Sequence, residues 1–301
     1  SQTFIRVSDI RIQYGATITA STIKNISSQS NVTVTGYGIL YTTDGSEPVY
    51  SIPVKGSDKS YTVPANVVDL KVAGAYKGMN FTQMGQTISF RAYLKFRRGE
   101  QECYYYGTTY SKIFIDNISS LTDPQAVALV SLYNNKKTAT NITGTCTPTV
   151  AEEGDQRITL YAKNNKFDML NERIQFAAQI GSAVLQEIVD NGGTLKNYGV
   201  VFSSNGKIPT APDYIGSTKP ITNNSTSQLT IAGAFKGMNI SQMSSSIYMR
   251  AYVQYEDASG NTNYVYSSAY GFVLMDYLKD YTSTNSYAAE LVTYYNSYIN
   301  K

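Results

Sequence analysis

The chain contains the stretch VAGAYKGMNFTQM, residues 72–84, and repeats it as IAGAFKGMNISQM, residues 231–243. Each copy is followed after a short gap by a related segment, ISFRAY from residue 88 and IYMRAY from residue 247. A stretch that recurs at so long an interval indicates two related modules in one chain. The 301 residues are enough for two domains, each able to bury its own core.

The segment that ends each copy alternates between apolar and polar side chains. Every second residue is apolar at 88–96 and at 247–255, and a period of two predicts a strand with one face in a core. The stretch before it is rich in Gly and Ala, which suit tight turns. We interpret that stretch as an irregular corner between two sheets, in preference to a binding loop that carries Lys77 and Lys236.

Further signals lie at matching places in the two modules. Strands are predicted at 37–41 and 198–202, and each runs into a turn marked by Asp44-Gly45 or Asn205-Gly206. Ahead of its strand, the second module has a helical pattern at 183–189, closed by two glycines. The shared order of strands and turns predicts the same architecture for both modules.

A helical pattern closes each module, and Asp123-Pro124 is a typical cap and first-turn pair. Apolar residues three and four apart give each helix one apolar face. These faces are formed by Ala126, Leu129, Val130 and Tyr133, and by Ala288, Leu291, Val292 and Tyr295. The Thr- and Asn-rich stretch between the modules has no period. We therefore predict a first module at 1–136, a linker at 137–154 and a second module at 155–301.

Composition restricts the class of partner. Charged residues make up 16% of the chain and the net charge is +3, with Lys and Arg scattered, so we expect no nucleic-acid partner. No apolar run approaches 18 residues, so no membrane span is expected in this segment. Abundant Tyr, Thr, Ser and Asn are typical of extracellular bacterial β proteins.

The chain has neither His nor Trp. The absence of His removes the commonest general base, the His-containing catalytic triads and most zinc sites. No nucleophile–base or acid–base pair stands out among the remaining residues. The oxygen-rich hairpin tip at 256–263 resembles a calcium loop, but a solvated turn accounts for it equally. We therefore expect no enzyme activity, no cofactor and no metal.

The order of the segments resembles the fibronectin type III-like, immunoglobulin-like modules of secreted and surface proteins from gut bacteria. The resemblance rests on two sets of segments, 37–43, 72–74, 90–93 and 104–114 in the first module, and 198–204, 209–210, 229–233, 248–252 and 264–272 in the second. It implies an all-β fold of two tandem antiparallel β-sandwich domains, each followed by a short C-terminal helix, and a non-enzymatic role.

The chain departs from the pattern of that family in three respects. Ile88 and Ile247 stand where the family usually has a corner tyrosine, and the tryptophan usual on the second strand is missing. The terminal helices are additional. These departures concern the detailed topology more than the sandwich class.

The densest aromatic run is Tyr104-Tyr105-Tyr106, with Tyr264 and Tyr266 at the matching places of the second module. These five tyrosines are the candidate glycan-binding residues. Alternation along a strand sends Tyr105 to the face opposite its two neighbours, so only part of the run can form a flat sugar platform. A tyrosine-rich strand half inside the core is the alternative.

The two cysteines, Cys103 and Cys146, have no counterpart in the second module. Cys103 starts the last strand of the first module, and Cys146 falls in the predicted linker. A disulfide between them would tie the linker back onto the first module and would fit an oxidising compartment. Two unpaired thiols are the alternative.

These observations predict a secreted or cell-surface bacterial protein that acts as a structural or adhesive segment. The alternative is a carbohydrate-binding unit of a polysaccharide-degrading system, in which tyrosines would form the sugar platform. The partners expected are accordingly polysaccharide or other surface proteins.

Overall fold

The computed structural model describes residues 2–211, 213 and 216–300. Residues 1, 212, 214, 215 and 301 lie outside this description, and so do the outermost bounds predicted for the two modules. The chain divides into two compact units, unit 1 at Ser1–Tyr133 and unit 2 at Asn134–Lys301. Both are built mainly of antiparallel strands, so the predicted β-rich class is confirmed.

Unit 1 forms two antiparallel sheets with short helices between their strands. Its elements are β1 (Gln2–Arg6), β2 (Arg11–Ile18), α1 (Ala20–Ser27), β3 (Val32–Thr42), β4 (Gly56–Ser60), β5 (Leu70–Tyr76), α2 (Phe81–Met84), β6 (Thr87–Arg98), β7 (Gln101–Tyr106), β8 (Tyr110–Ile113), α3 (Phe114–Ile118) and α4 (Pro124–Lys136). One sheet has the order β1-β2-β5. The other has the order β4-β3-β6-β7, and β8 pairs with β6 beside β7.

The two sheets of unit 1 pack face to face around an apolar core. Tyr14 on β2 stacks on Phe90 of β6, with ring centroids 5.8 Å apart. Gly74 on β5 lies so close to Ile39 of β3 that a Cβ would come within 3.1 Å of the Ile39 side chain. The small residue therefore allows one sheet to approach the other, as in a sandwich.

Unit 2 repeats this plan with additional strands at its start. Its elements are β9 (Thr143–Thr145), β10 (Thr149–Glu152), β11 (Ile158–Leu160), a 3₁₀ turn (Ala162–Asn164), β12 (Lys166–Asp168), β13 (Arg173–Ile180), α5 (Ser182–Asp190), β14 (Thr194–Ser203), β15 (Gly216–Pro220), β16 (Leu229–Phe235), α6 (Ile240–Met243), β17 (Ile247–Glu256), β18 (Thr262–Tyr266), β19 (Ala269–Phe272), α7 (Leu274–Lys279), α8 (Ser286–Tyr294) and a π turn (Tyr295–Ile299). One sheet has the order β10-β19-β17-β14-β15, with β18 on β17. The other has the order β11-β13-β12-β9, with β16 on the far side of β13.

Strand registers in the two units correspond residue by residue. Tyr93 on β6 lies opposite Gly38 and Tyr106, and Tyr252 on β17 lies opposite Gly199 and Tyr266. The repeated stretch thus occupies the same ladder positions in each unit. Since a shift of one residue would turn every side chain to the other face, shared register means shared faces.

The corner predicted for residues 72–76 is wrong, because this part of the repeat forms β5. Seven residues of β5 pair with β2 in continuous register, and β16 pairs with β13 in the same way. The small residues that suggested turns have another role: Gly74 and Gly233 allow the facing sheet to approach. A Cβ on Gly233 would fall within 2.3 Å of the Val200 side chain.

The turn itself comes after the strand, at Gly78 and Gly237, each with φ of +67°. Asn80 then caps α2, accepting from the Gln83 N–H while the Gln83 side chain accepts from the Asn80 N–H. Asn239 and Gln242 form the same capping box on α6. The GMN…QM part of the repeat is therefore a turn followed by a capped helical turn.

The predicted linker at 137–154 carries two strands of unit 2. β9 pairs with β12 and β10 pairs with β19, so this stretch belongs to both sheets of the unit. Ile142 and Cys146 are buried there. The absence of a hydrophobic period misled the sequence reading, because β9 has only three residues and all four residues of β10 are exposed.

Helices occur where the sequence predicted them, with one addition. α5 covers the predicted 183–189, and α4 and α8 bury the predicted face at Ala126, Leu129, Ala288 and Leu291. The additional helix, α1, takes the position in unit 1 that α5 takes in unit 2. Among the described residues, none of the helices has the length and apolar character needed to cross a membrane.

Replacing Gly78 or Gly237 with Val is expected to lower the melting temperature, because a β-branched residue resists a φ of +67°. The cost should be about 1–3 kcal/mol at each site. Ala75→Val, at an exposed position of β5, is the matched control and should melt close to the wild type. Normal melting of both glycine variants, measured by calorimetry, would contradict this assignment.

Candidate functional site

A tyrosine lies across three strands on the outer face of each unit. The Tyr93 ring covers Gly38, where a Cβ would come within 2.9 Å of the ring, and its hydroxyl donates to Asp58 on β4 (2.5 Å). In unit 2 the Tyr252 ring covers Gly199, and its hydroxyl bonds to Thr218 on β15 (2.6 Å). Ring and hydroxyl together span β6, β3 and β4, or their counterparts.

Three further aromatic rings complete the cluster in unit 1. Tyr104 and Tyr106 stack along β7 with centroids 6.1 Å apart, and Tyr50 stacks on Tyr104 at 4.4 Å. The Tyr50 N–H donates to the Tyr106 hydroxyl (2.9 Å), which fixes the loop between β3 and β4 on the sheet. Tyr105 points to the opposite face, as the alternation predicted, and is 51% exposed.

Charged side chains surround these rings. Lys95 lies over the Tyr50 ring (5.0 Å to the centroid) and within 3.4 Å of the Glu102 carboxylate. Arg91 lies over Tyr106 (4.5 Å) and pairs with Glu47 (3.1 Å). Each cation thus has a ring and a carboxylate as partners inside the unit.

The hydroxyls set the protonation of the carboxylates they touch. Burial alone would raise the pKa of Asp58, but hydrogen bonds from Tyr93 and Tyr50 outweigh it and hold that pKa below its ordinary value. Burial and the bond to Asp58 raise the pKa of Tyr93. Likewise, a hydrogen bond from Tyr104 lowers the pKa of Glu102. The cluster therefore contains carboxylates as acceptors and neutral phenols as donors.

Unit 2 builds the equivalent cluster around a buried arginine. Arg250 is 7% exposed, and its guanidinium lies 3.8 Å from the centroid of the Tyr266 ring. It donates to the Pro209 carbonyl (2.6 Å) and to Glu152 of β10 (3.1 Å). Tyr264 stacks on Tyr266 with centroids 5.9 Å apart.

The clusters differ at one position. Tyr50 in unit 1 and Ala211 in unit 2 both donate their N–H to the hydroxyl of the last tyrosine, Tyr106 or Tyr266, at 2.9 Å. Ala211 has no ring to stack on Tyr264. A pocket of about 230 Å³ lies there, lined among others by Thr218, Gln254 and Tyr264.

The structure therefore brings four of the five candidate tyrosines into two clusters and leaves Tyr105 out of both. The sequence reading missed Tyr50, Tyr93 and Tyr252 as members. For Tyr93 and Tyr252 a signal was present, since Arg-Ala-Tyr is repeated together with a Tyr-Gly pair that lies opposite. Tyr50 stands in a loop with no counterpart to draw attention to it.

In the described part of the chain, no three His, Cys, Asp or Glu side chains are grouped so that they could hold a metal ion. The hairpin tip considered for calcium is a turn organised by Asp257. That carboxylate accepts from the N–H of Ser259 and of Asn261 and from the amides of Asn261 and Asn263. The backbone bond from Asn261 is the largest cause that lowers the pKa of Asp257.

The predicted disulfide is absent from the structure, in which both cysteines are free thiols. Cys146 is 3% exposed, its N–H donates to the Asn165 carbonyl, and burial raises the pKa of its thiol to about 12. Cys103 is half-buried on β7. The prediction failed because Cys146 belongs to the core of unit 2 rather than to a linker free to fold back.

No protein-family model matches the chain, and no curated protein matches it. The fold and the clusters are therefore interpreted from the residues of this chain alone.

Replacing Asp58 with Asn should destabilise the protein at pH 7 by about 1 kcal/mol, because two hydroxyls lose a charged acceptor. The pKa of Asp58 is lowered in the folded state, so this stability is present above the ordinary pKa of about 4 and disappears as the pH falls through the folded value. The melting-temperature gap between variant and wild type should therefore narrow from pH 6 to pH 3.

The matched control is Asp116→Asn, at an exposed position of α3. Thermal melts of the three proteins across this pH range give the answer. A gap for Asp58→Asn that stays constant down to pH 3 would contradict the assigned role of the carboxylate.

Proposed function

We propose that the chain is a non-catalytic structural and adhesive segment of a secreted or cell-surface protein. Its two units are proposed to be fibronectin type III-like, immunoglobulin-like sandwich domains that each fold and bear load separately. The proposal takes the sequence resemblance as its starting point. The matching strand registers of the two units support it.

One observation carries the proposal: the chemically active groups on the outer faces are used to fasten loops and strands. In unit 2, Arg250 joins the Tyr266 ring, the Pro209 carbonyl and Glu152, which lie on three separate segments. In unit 1, Arg91 joins Tyr106, Glu47 and the Gly107 carbonyl. Groups held in this way resist separation of the strands, which suits a structural segment.

The proposed location outside the cell rests on composition. Tyr is frequent, with 27 residues, and the charged fraction is low, as in extracellular bacterial β proteins. The two thiols give no support to an oxidising compartment, because they are unpaired.

A carbohydrate-binding unit is the second candidate, and the pocket beside Tyr264 is what favours it. In unit 1 the Tyr50 ring covers the face of Tyr104, so that platform is closed. Ala211 leaves the corresponding place in unit 2 without a stacked ring, and Thr218 and Gln254 supply hydrogen-bonding groups nearby. A pyranose ring stacked on Tyr264 fits this chemistry.

Single-molecule pulling between the two ends tests the structural proposal. We expect two cooperative unfolding events, and the longer release should come from unit 2. Arg250→Gln should lower the force of that event alone, and Arg91→Gln should lower the force of the other. Gradual extension without distinct events would contradict the proposal.

Affinity electrophoresis in soluble polysaccharides separates the two candidates. The structural proposal predicts unchanged mobility in every polysaccharide. Retardation that Tyr264→Ala abolishes and Tyr105→Ala preserves would instead favour the carbohydrate-binding candidate, since Tyr105 lies outside both clusters.

A further inference from the structure

We propose that unit 1 has a strand-acceptor groove between β2 and β8, which binds an extended segment of a partner polypeptide. The occupant is proposed to follow the path that residues 149–160 follow in unit 2. This inference goes beyond the proposed function, because it depends on neither the cellular compartment nor glycan binding.

In unit 2 the segment 149–160 closes the edge between the two sheets. Its first part, β10, pairs with β19, and its last part, β11, pairs with β13 at residues 178–180. Between them, the Asp155 N–H donates to the Tyr266 carbonyl (2.8 Å), and the Gly154 N–H donates to Ser268 (3.2 Å). Ile158 is 1% exposed, so it supplies the apolar side chain that fills the interior.

In unit 1 the equivalent positions have no such cover from the described residues. β1 pairs with β2 only as far as Gly15, so residues 16–18 meet no strand on that edge. β8 pairs with β6 on one side, and no described strand pairs with its other side. An open edge of this kind is a template for strand addition.

Burial at corresponding residues shows the difference directly. Ser267 and Ser268 of unit 2 are 1% and 3% exposed, whereas their counterparts Gly107 and Thr108 are fully at the surface. Tyr110 is 40% exposed. The two units thus differ in the cover over this edge rather than in the ladder beneath it.

A cavity of about 270 Å³ opens at this edge in unit 1. Ala16 and Ile18 of β2 form one side, and Leu94, Tyr105 and Tyr110 contribute to the other. The lining is apolar and aromatic, which suits a side chain such as that of Ile158. Tyr105, which the outer-face cluster leaves out, has its place here.

The backbone of β2 offers hydrogen-bonding groups to an incoming strand. In unit 2 the Tyr161 N–H donates to the Ala177 carbonyl, and the Gly181 N–H donates to the Arg157 carbonyl, both at 2.9 Å. Antiparallel alternation then directs the N–H of Gln179 towards β11. Its counterpart in unit 1 is Thr17, whose N–H is directed the same way, away from β5.

The test uses a fluorescent synthetic peptide of residues 149–160 and the full chain. We expect saturable binding by anisotropy, with new hydrogen-exchange protection at residues 16–18 and 110–113. The matched peptide with Ile158→Asp should not bind. Thr17→Pro in the chain should weaken binding about tenfold or more, since it removes the N–H that pairs with the peptide.

Thr17→Pro must melt near the wild-type temperature to be informative, and Thr17→Ala, which keeps the N–H, should bind normally. If Thr17→Pro unfolds, the exchange map of the wild type decides. Absence of saturable binding overturns the proposal. So does protection confined to unit 2, or a concentration-dependent dimer that buries the groove of unit 1 in a second copy.

Discussion

The structure depends on a tyrosine that lies across a glycine in the middle of each outer sheet. Tyr93 and Tyr252 cover Gly38 and Gly199, and their hydroxyls reach the next strand at Asp58 or Thr218. Ring and hydroxyl meet their partners only if three strands are in one register. Because a one-residue slip would turn the core face outward, this contact preserves the packing of the whole sandwich-like unit.

The same framework has two different edges. Unit 2 uses residues 149–160 to pair with one strand of each sheet, and it buries the residues beneath them. Unit 1 has the same inner ladder, but the described chain places no strand there. The outer faces and the edges therefore have separate roles: the clusters fasten each unit, and the edge of unit 1 is available to a partner.

Much of the ladder could be predicted from the sequence, because alternation and turn chemistry are local signals. The 88–96 strand, the Asp44-Gly45 turn and the α8 face follow from residues next to one another. The strand at 70–76 was misread, because Gly74 serves contact with Ile39 of the other sheet, and short-range patterns do not report such contacts. β10 was missed since all its residues are exposed, and Cys146 could not be placed without it.

Hydrogen exchange of the full chain tests most directly whether the units share one ladder and differ at one edge. The account predicts equal, strong protection in β6 and β17. It predicts faster exchange at residues 110–113 than at 269–272, and at 16–18 than at 178–180. Equal protection at these paired segments, or weak protection of β6 beside a stable β17, would contradict it.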